Sequence, residues 1–215
     1  MLKTKHSKPY LALYKILQLF LKVIFIVLFR VQTIDLYKVP RKGRLLICSN
    51  HIGYLDAVIV GAFIPRCIYF MAKKELYSSK ILRPLITFLN AFPVKRQSFD
   101  RNAFHTSFEI LNTGNALCLF PEGTRSNDGI MGEGKKGIGF IAAESRAPIL
   151  PIALSGTNKI IRKPSKRIFF PKIKLIVGDI IDVNHIVKNR NKREAIDIVL
   201  DKTMKEIANL YKKIK

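Results

Sequence analysis

Past Pro40 the chain alternates short apolar runs with longer stretches of helical periodicity, and this alternation restricts the fold more than any other feature. The apolar runs at 45–49, 67–72, 116–120, 149–154 and 172–177 are each bounded by Gly, Pro, Asn or charged residues and read as strands. Helical stretches fall near 55–63, 79–89, 101–113, 136–146 and 191–214. Strands that take turns with helices pair in parallel and are covered on both faces, so the pattern predicts an α/β sandwich with a mainly parallel sheet. Sites in such sheets gather beyond the carboxyl ends of the strands. In the last stretch Ile196, Val199, Leu200, Thr203, Ile207, Leu210 and Ile214 share one stripe, which predicts packing against the sheet.

The first thirty residues differ. They carry Lys3, Lys5, Lys8, Lys15, Lys22 and Arg30 and no acid, around the apolar text LALYKILQLFLKVIFIVLF. No small-residue cleavage site follows, so the segment is expected to stay attached. Lys15, Gln18 and Lys22 recur at helical spacing on one face and break the apolar run too often for a clean span. The expectation is a helix lying in the bilayer surface with its lysines reaching the headgroups. Residues 1–38 thus read as a membrane-associated amphipathic element and 39–215 as one α/β domain.

Charge narrows the partners. Lys and Arg number 38 against 15 Asp and Glu, a net charge of +23, while 48% of residues are hydrophobic, which excludes a disordered chain. Such a surplus suits nucleic acid, an anionic bilayer, or a phosphorylated or acidic substrate. Residues 159–174 hold seven Lys or Arg and no acid, interleaved with Ile160, Ile161, Ile168, Phe169 and Phe170, a pattern fit for an anionic bilayer or for single-stranded nucleic acid. The three cysteines, Cys48, Cys67 and Cys118, form neither a disulfide framework nor a zinc motif, and reduced thiols inside the cell are expected.

Two loops hold the chemistry. The run RLLICS leads into NHIGYLD, placing Asn50, His51 and Asp56 at a strand's carboxyl end. An imidazole acts as a general base when its second nitrogen donates to a carboxylate, and His51 with Asp56 has the makings of that dyad. Taken alone, the pair also fits a helix-capping aspartate and a polar loop histidine. The second loop, FPEGTRS at 120–126, again follows an apolar run and gathers backbone N–H groups, a hydroxyl and a guanidinium as phosphate binding requires. Glu122 there is positioned to hold Arg125 or to meet a substrate hydroxyl. Gly132, Gly134 and Gly137 satisfy G-x-G-x-x-G with no strand before them, so a dinucleotide reading fails, and Lys136 replaces the hydroxyl a P-loop needs.

NHIGYLD together with FPEGTRS resembles the glycerolipid acyltransferase superfamily, and within it the 1-acyl-glycerol-3-phosphate acyltransferases. Two further stretches are similar, AKKEL with AFPVKR (72–76 and 91–96) and APILPIAL (147–154). The resemblance implies a glycerolipid-acyltransferase-like αβα sandwich with a mainly parallel mixed sheet and the N-terminal membrane element. It implies that His51 takes the proton of an acceptor hydroxyl, with Asp56 as its orienting partner. The hydroxyl then attacks an acyl thioester, with no enzyme nucleophile, metal or cofactor. It further implies that Asn50, Lys73, Arg96, Glu122, Gly123, Thr124, Arg125 and, by a looser match, Lys136 bind substrate. Gly53 and Asn90 depart from the family's pattern, which often has a small polar residue at the first position and Gly at the second.

The implied partners are a lysophospholipid acceptor, an acyl-CoA or acyl-carrier-protein donor and an anionic membrane surface, without nucleic acid, at the cytoplasmic face of the cell membrane. Lysophosphatidic acid is the expected acceptor and phosphatidic acid the product. A sister enzyme acting on a lyso-ornithine lipid, glycerol 3-phosphate or another lysophospholipid would carry the same dyad, and a non-catalytic basic binding protein stands as the reading from another class.

Overall fold

A computed structural model describes residues 7–95, 100–126, 129–161, 167–188 and 190–215. The N-terminal helix, α1 (Lys8–Phe29), is followed by β1 (Gln32–Ile34), β2 (Leu45–Ser49), α2 (Asp56–Phe63), β3 (Ile68–Lys73), α3 (Leu82–Phe88) and β4 (Ala91–Val94). The chain continues through α4 (Arg101–Asn112), β5 (Ala116–Leu119), α5 (Lys136–Ser145), β6 (Ile149–Ser155), β7 (Lys174–Val177), α6 (Val183–Val187) and α7 (Lys192–Ile214). The seven strands form one sheet in the order β1-β7-β6-β2-β5-β3-β4. Every pairing is parallel except β6 with β7. The sheet is therefore mixed and mainly parallel, as expected.

Central strands buried on both faces read as unbroken apolar runs, and β2 illustrates why. Leu45 and Ile47 point to the side of α1 and α2, where they meet Phe25, Phe29, Ile59 and Phe63. Leu46 and Cys48 point to the other side, against Ile110, Ile141, Val199 and Ile207 from α4, α5 and α7. Each such large side chain contributes about 1.5–3 kcal/mol by leaving water. The stripe on α7 is buried at Val199, Thr203, Ile207, Leu210 and Ile214, so that helix packs on the sheet and on α5.

Three short elements escaped the sequence reading. β1 and β4 have only three and four residues, and α6 only five, too few for a period to declare itself. β1 also shifts the expected boundary at residue 38: it pairs with β7, so the chain has joined the domain by Gln32. Asn90 stands in the left-handed region (φ 58°), which Asn tolerates better than most residues and Gly best of all. Its side chain accepts from the Tyr10 hydroxyl at 2.8 Å, tying the start of α1 to the turn before β4.

The polar face of α1 corrects another expectation. Gln18 and Lys22 turn inward onto the end of α2, while Lys15 stays exposed. Gln18 Nε2 donates to the carbonyls of Gly61 (2.7 Å) and Ile64 (2.8 Å). Those carbonyls end α2, where backbone acceptors have no partner inside the helix, and the Lys22 ammonium sits over the Phe63 ring at the same end. With Tyr10 held at its start and Phe25 and Phe29 buried at its end, α1 lies along the domain over its whole length. Leu13, Ile16, Leu19, Phe20, Val23, Ile26 and Val27 are left outward and exposed. By length and composition the helix is long and apolar enough to cross a membrane, with a mean hydropathy of 2.2.

Part of the basic segment expected at the surface, 162–166, lies outside the described residues. Ile160 is buried in the core, while Ile168, Phe169 and Phe170 are exposed. Phe170 packs its ring on Phe29 at 5.4 Å, and Arg30 donates to its carbonyl, so this loop continues the apolar surface of α1.

Candidate active site

Parallel pairing brings the two expected loops together. β2 and β5 are neighbours with Cys48 opposite Leu119, and carrying that register three residues onward sets His51 opposite Glu122. The bonds follow this placement. The backbone N–H of His51 donates to Glu122 Oε1 at 2.7 Å, and the N–H of Ser126 donates to the His51 carbonyl at 2.8 Å. Glu122 and Ser126 thus clamp His51 by its backbone.

Asp56 opens α2 and turns its carboxylate back over the preceding loop, where the helix N-terminus favours negative charge. Its Oδ2 accepts from the N–H groups of Ile52 and Gly53, both at 2.7 Å, and lies 2.8 Å from His51 Nδ1. An oxygen that already accepts two N–H bonds requires a donor at its third contact, so Nδ1 carries the proton and Nε2 presents its lone pair. Asp56 is fully buried, whereas the His51 side chain is 12% exposed. The ring stacks on Phe120 with centroids 4.2 Å apart. Among the described residues Nε2 has no hydrogen-bond partner.

Gly53 is explained by its neighbour. A Cβ at this position would lie 2.7 Å from the backbone carbon and oxygen of Thr157 and from its Cβ, so any side chain here drives into the loop after β6. The departure from the family's small polar residue is matched to Thr157.

Glu122 does not hold Arg125. Its second oxygen accepts from the Gly132 N–H at 2.9 Å, so the carboxylate ties three loop segments together: 51, 122 and 132. Burial pushes its carboxyl above the usual carboxylate range, against the two N–H bonds that pull it down. Gly123 takes the turn at φ 68° with the Lys135 stem packed against it. Thr124 and Arg125 are exposed and line a shallow depression with Ser126, Ile130 and Gly132. The Arg125 guanidinium is centred 3.6 Å over the Tyr54 ring.

Several expected residues stand elsewhere. Asn50 is buried and turned toward β6, where it donates to the Leu154 carbonyl and accepts from the Leu154 N–H, acting as one more rung of the sheet instead of a substrate contact. Lys73 points to solvent and pairs with Glu75 at 3.6 Å, a contact of small energetic weight. Lys136 reaches Asp197 on α7 at 2.7 Å, away from His51. Its neighbour Lys135 lines the cavity that His51 shares, a residue sequence reasoning missed because one step along a loop reverses a side chain's direction. Arg96 lies outside the described residues. Cys48 and Cys118 are free, buried, and pushed by that burial far above the usual thiol range, so neither serves as a nucleophile.

A histidine at a parallel strand's carboxyl end, with a buried carboxylate on Nδ1 and a backbone bond to an arginine-bearing turn, is an arrangement that can deprotonate a hydroxyl. A family model described as Acyltransferase matches residues 30–155. The chain belongs to that family, and it is an O-acyltransferase. A 1-acyl-sn-glycerol-3-phosphate acyltransferase of Bacillus subtilis is 29% identical over 202 residues, covering 92% of this chain and 98% of its own. The chloroplastic LPAT1 of Arabidopsis thaliana is 31% identical over 122 residues, 56% of this chain and 34% of the plant protein. The crystal structure of the 1-acyl-sn-glycerophosphate acyltransferase PlsC from Thermotoga maritima superposes with a TM-score of 0.75 at 25% identity, over 96% of this chain and 84% of that one.

Proposed function

We propose that this enzyme moves a fatty acyl group from an acyl thioester to the free hydroxyl of 1-acyl-glycerol-3-phosphate, giving phosphatidic acid at the cytoplasmic face of the cell membrane. The observation that carries the reading is the bond between Ser126 N–H and the His51 carbonyl, which joins the Arg125 turn to the base. His51 Nε2 takes the hydroxyl proton, and Asp56 stabilises the imidazolium that forms. The hydroxyl oxygen attacks the thioester carbonyl, the carbon–sulfur bond breaks, and the departing thiolate recovers the proton from His51. The thioester is already activated, so the reaction is written without metal or cofactor.

Arg125 supplies the charge-assisted contact for the acceptor phosphate. The donor is acyl-CoA or an acyl-carrier protein, and the +23 surplus attracts either of these acidic molecules. The outward face of α1, with Ile168 to Phe170 beside its end, supports in-plane docking on the leaflet, with Lys8–Phe29 as the membrane-associated element. The test is incubation of the purified protein and vesicles with labelled donor thioester and a panel of lysolipids, with His51→Ala as control. Transfer to lysophosphatidic acid by the native chain alone is expected; preferred transfer to a lyso-ornithine lipid or glycerol 3-phosphate would reassign the acceptor.

A further inference from the structure

Among the described residues, a pair of apolar recesses of about 220 Å³ each shares Met71 of β3 in the lining. One runs beneath α1 among Leu17, Leu21, Val58, Phe70 and Leu76, and no charged residue among the described ones lines it. The other opens between the sheet and helices α4 and α5, where Val94, Ala103, Phe104, Ile138 and Ile141 wall it. His51 belongs to the wall of this second cavity, and so do Lys95, Lys135 and one carboxylate, Asp100.

The charges around the second cavity are not equivalent. Asp100 is engaged locally: Oδ1 accepts from the N–H groups of Asn102 and Ala103, capping α4, and Oδ2 accepts from the N–H of Lys95. Those bonds hold its carboxyl below the usual range and leave it little capacity for a ligand. Lys135 forms no ion pair with any carboxylate among the described residues, and its stem lies along Gly123, two residues before Arg125. An apolar hole lined by Lys95 and Lys135, the latter on the side of the Arg125 turn, fits a molecule with one hydrocarbon tail and an anionic head.

The reaction proposed above joins two molecules with one chain each, and they differ in the charge beside the reacting atom. The thioester carbonyl is neutral. The acceptor carries a phosphate monoester, with roughly −1.5 to −2 charge at neutral pH, next to the hydroxyl it offers. We infer that the acceptor's own acyl chain seats in the cavity between the sheet and α4–α5, with Lys135 meeting its phosphate at the rim. Ala103 and Ile141 then bound the length of chain that fits, and Lys135 joins Arg125 in selecting a phosphorylated acceptor. This assignment rests on the acyl-transfer reading for its substrate, while the cavity's preference for a tailed phosphate is open to test without turnover.

The experiment measures binding of butyl and dodecyl phosphate, below the micelle threshold, to the full chain by thermal shift and titration. Ala103→Leu fills the cavity and is expected to weaken dodecyl phosphate about tenfold, the loss of roughly two buried methylenes, with butyl phosphate unaffected. Lys135→Gln should weaken both. In turnover, Ala103→Leu should shift the acceptor preference to shorter chains at a fixed donor and leave the donor profile alone. If Ala103→Leu does not fold, Ile141→Ala enlarges the cavity and should shift the acceptor profile to longer chains. Unchanged dodecyl phosphate binding in the folded variants, or a shift of the donor profile in place of the acceptor's, overturns the assignment. Absence of transfer by the native chain to any lysolipid would instead remove the acyl-transfer reading and leave the binding result to stand or fall by itself.

Discussion

The Arg125 guanidinium lies over the face of Tyr54, 3.6 Å from its centroid, so a residue of the His51 loop supports the cation of the neighbouring turn. Stacking of this kind is worth about 0.5–2 kcal/mol and restricts where the guanidinium points. Tyr54→Ala is expected to raise the KM for a phosphorylated acceptor several-fold with little change in kcat, and Tyr54→Phe, which keeps the ring, should behave as the native chain. Steady-state kinetics of the two variants decide it; equal losses in both would mean that the hydroxyl matters and not the face.

Arg125→Ala should cost an estimated 1.5–3 kcal/mol in kcat/KM toward a phosphorylated acceptor, the worth of a charge-assisted bond. Comparing acceptors with and without phosphate isolates the effect. Equal losses for both would remove Arg125 from the phosphate.

His51→Ala removes the base and should lower kcat by roughly 10² to 10⁴ with the fold intact. Asp56→Asn is expected to fall in a similar range, because an amide oxygen in the place of Oδ2 keeps the three contacts but lacks the negative charge that stabilises the imidazolium. Turnover measured beside circular dichroism separates lost chemistry from lost structure.

Glu122 links pH to stability. Burial raises its carboxyl, so the folded chain keeps that proton at a pH where the unfolded chain has released it. Between its ordinary value of 4.5 and the raised one, this group makes stability fall as pH rises. Glu122→Gln should flatten that slope in urea titrations at several pH values. It should also cost about 1–3 kcal/mol at neutral pH, since an amide can accept from only one of the His51 and Gly132 N–H groups on its oxygen.

Gly53→Ser, a change toward the family's usual residue, should destabilise the chain by about 1–3 kcal/mol or more and slow turnover, because the new Cβ meets the Thr157 backbone. Trimming the partner with Thr157→Ala should recover only part of the loss. The melting temperatures of the single and double variants give the answer.

The sequence by itself determined the α/β class, five strands and five domain helices to within about three residues at their ends, and the two loops that carry His51 and Arg125. Those features are local. Apolar period reports which faces of an element are covered, and a strand's end is marked by the polar residues that follow it. Tertiary structure alone decided which element covers each face and where a loop side chain points. Gln18 and Lys22 look like part of a headgroup-facing stripe until the end of α2 is placed beside them. Lys135 and Lys136 are equivalent in a string of letters, yet Asp197 on α7 takes one and the cavity beside His51 receives the other. Glu122 reaches the His51 backbone only because β2 and β5, 71 residues apart at this contact, pair in parallel and in one register. Such placements depend on contacts between distant segments, whose partners are chosen when the core closes and not by the periodicity of either segment.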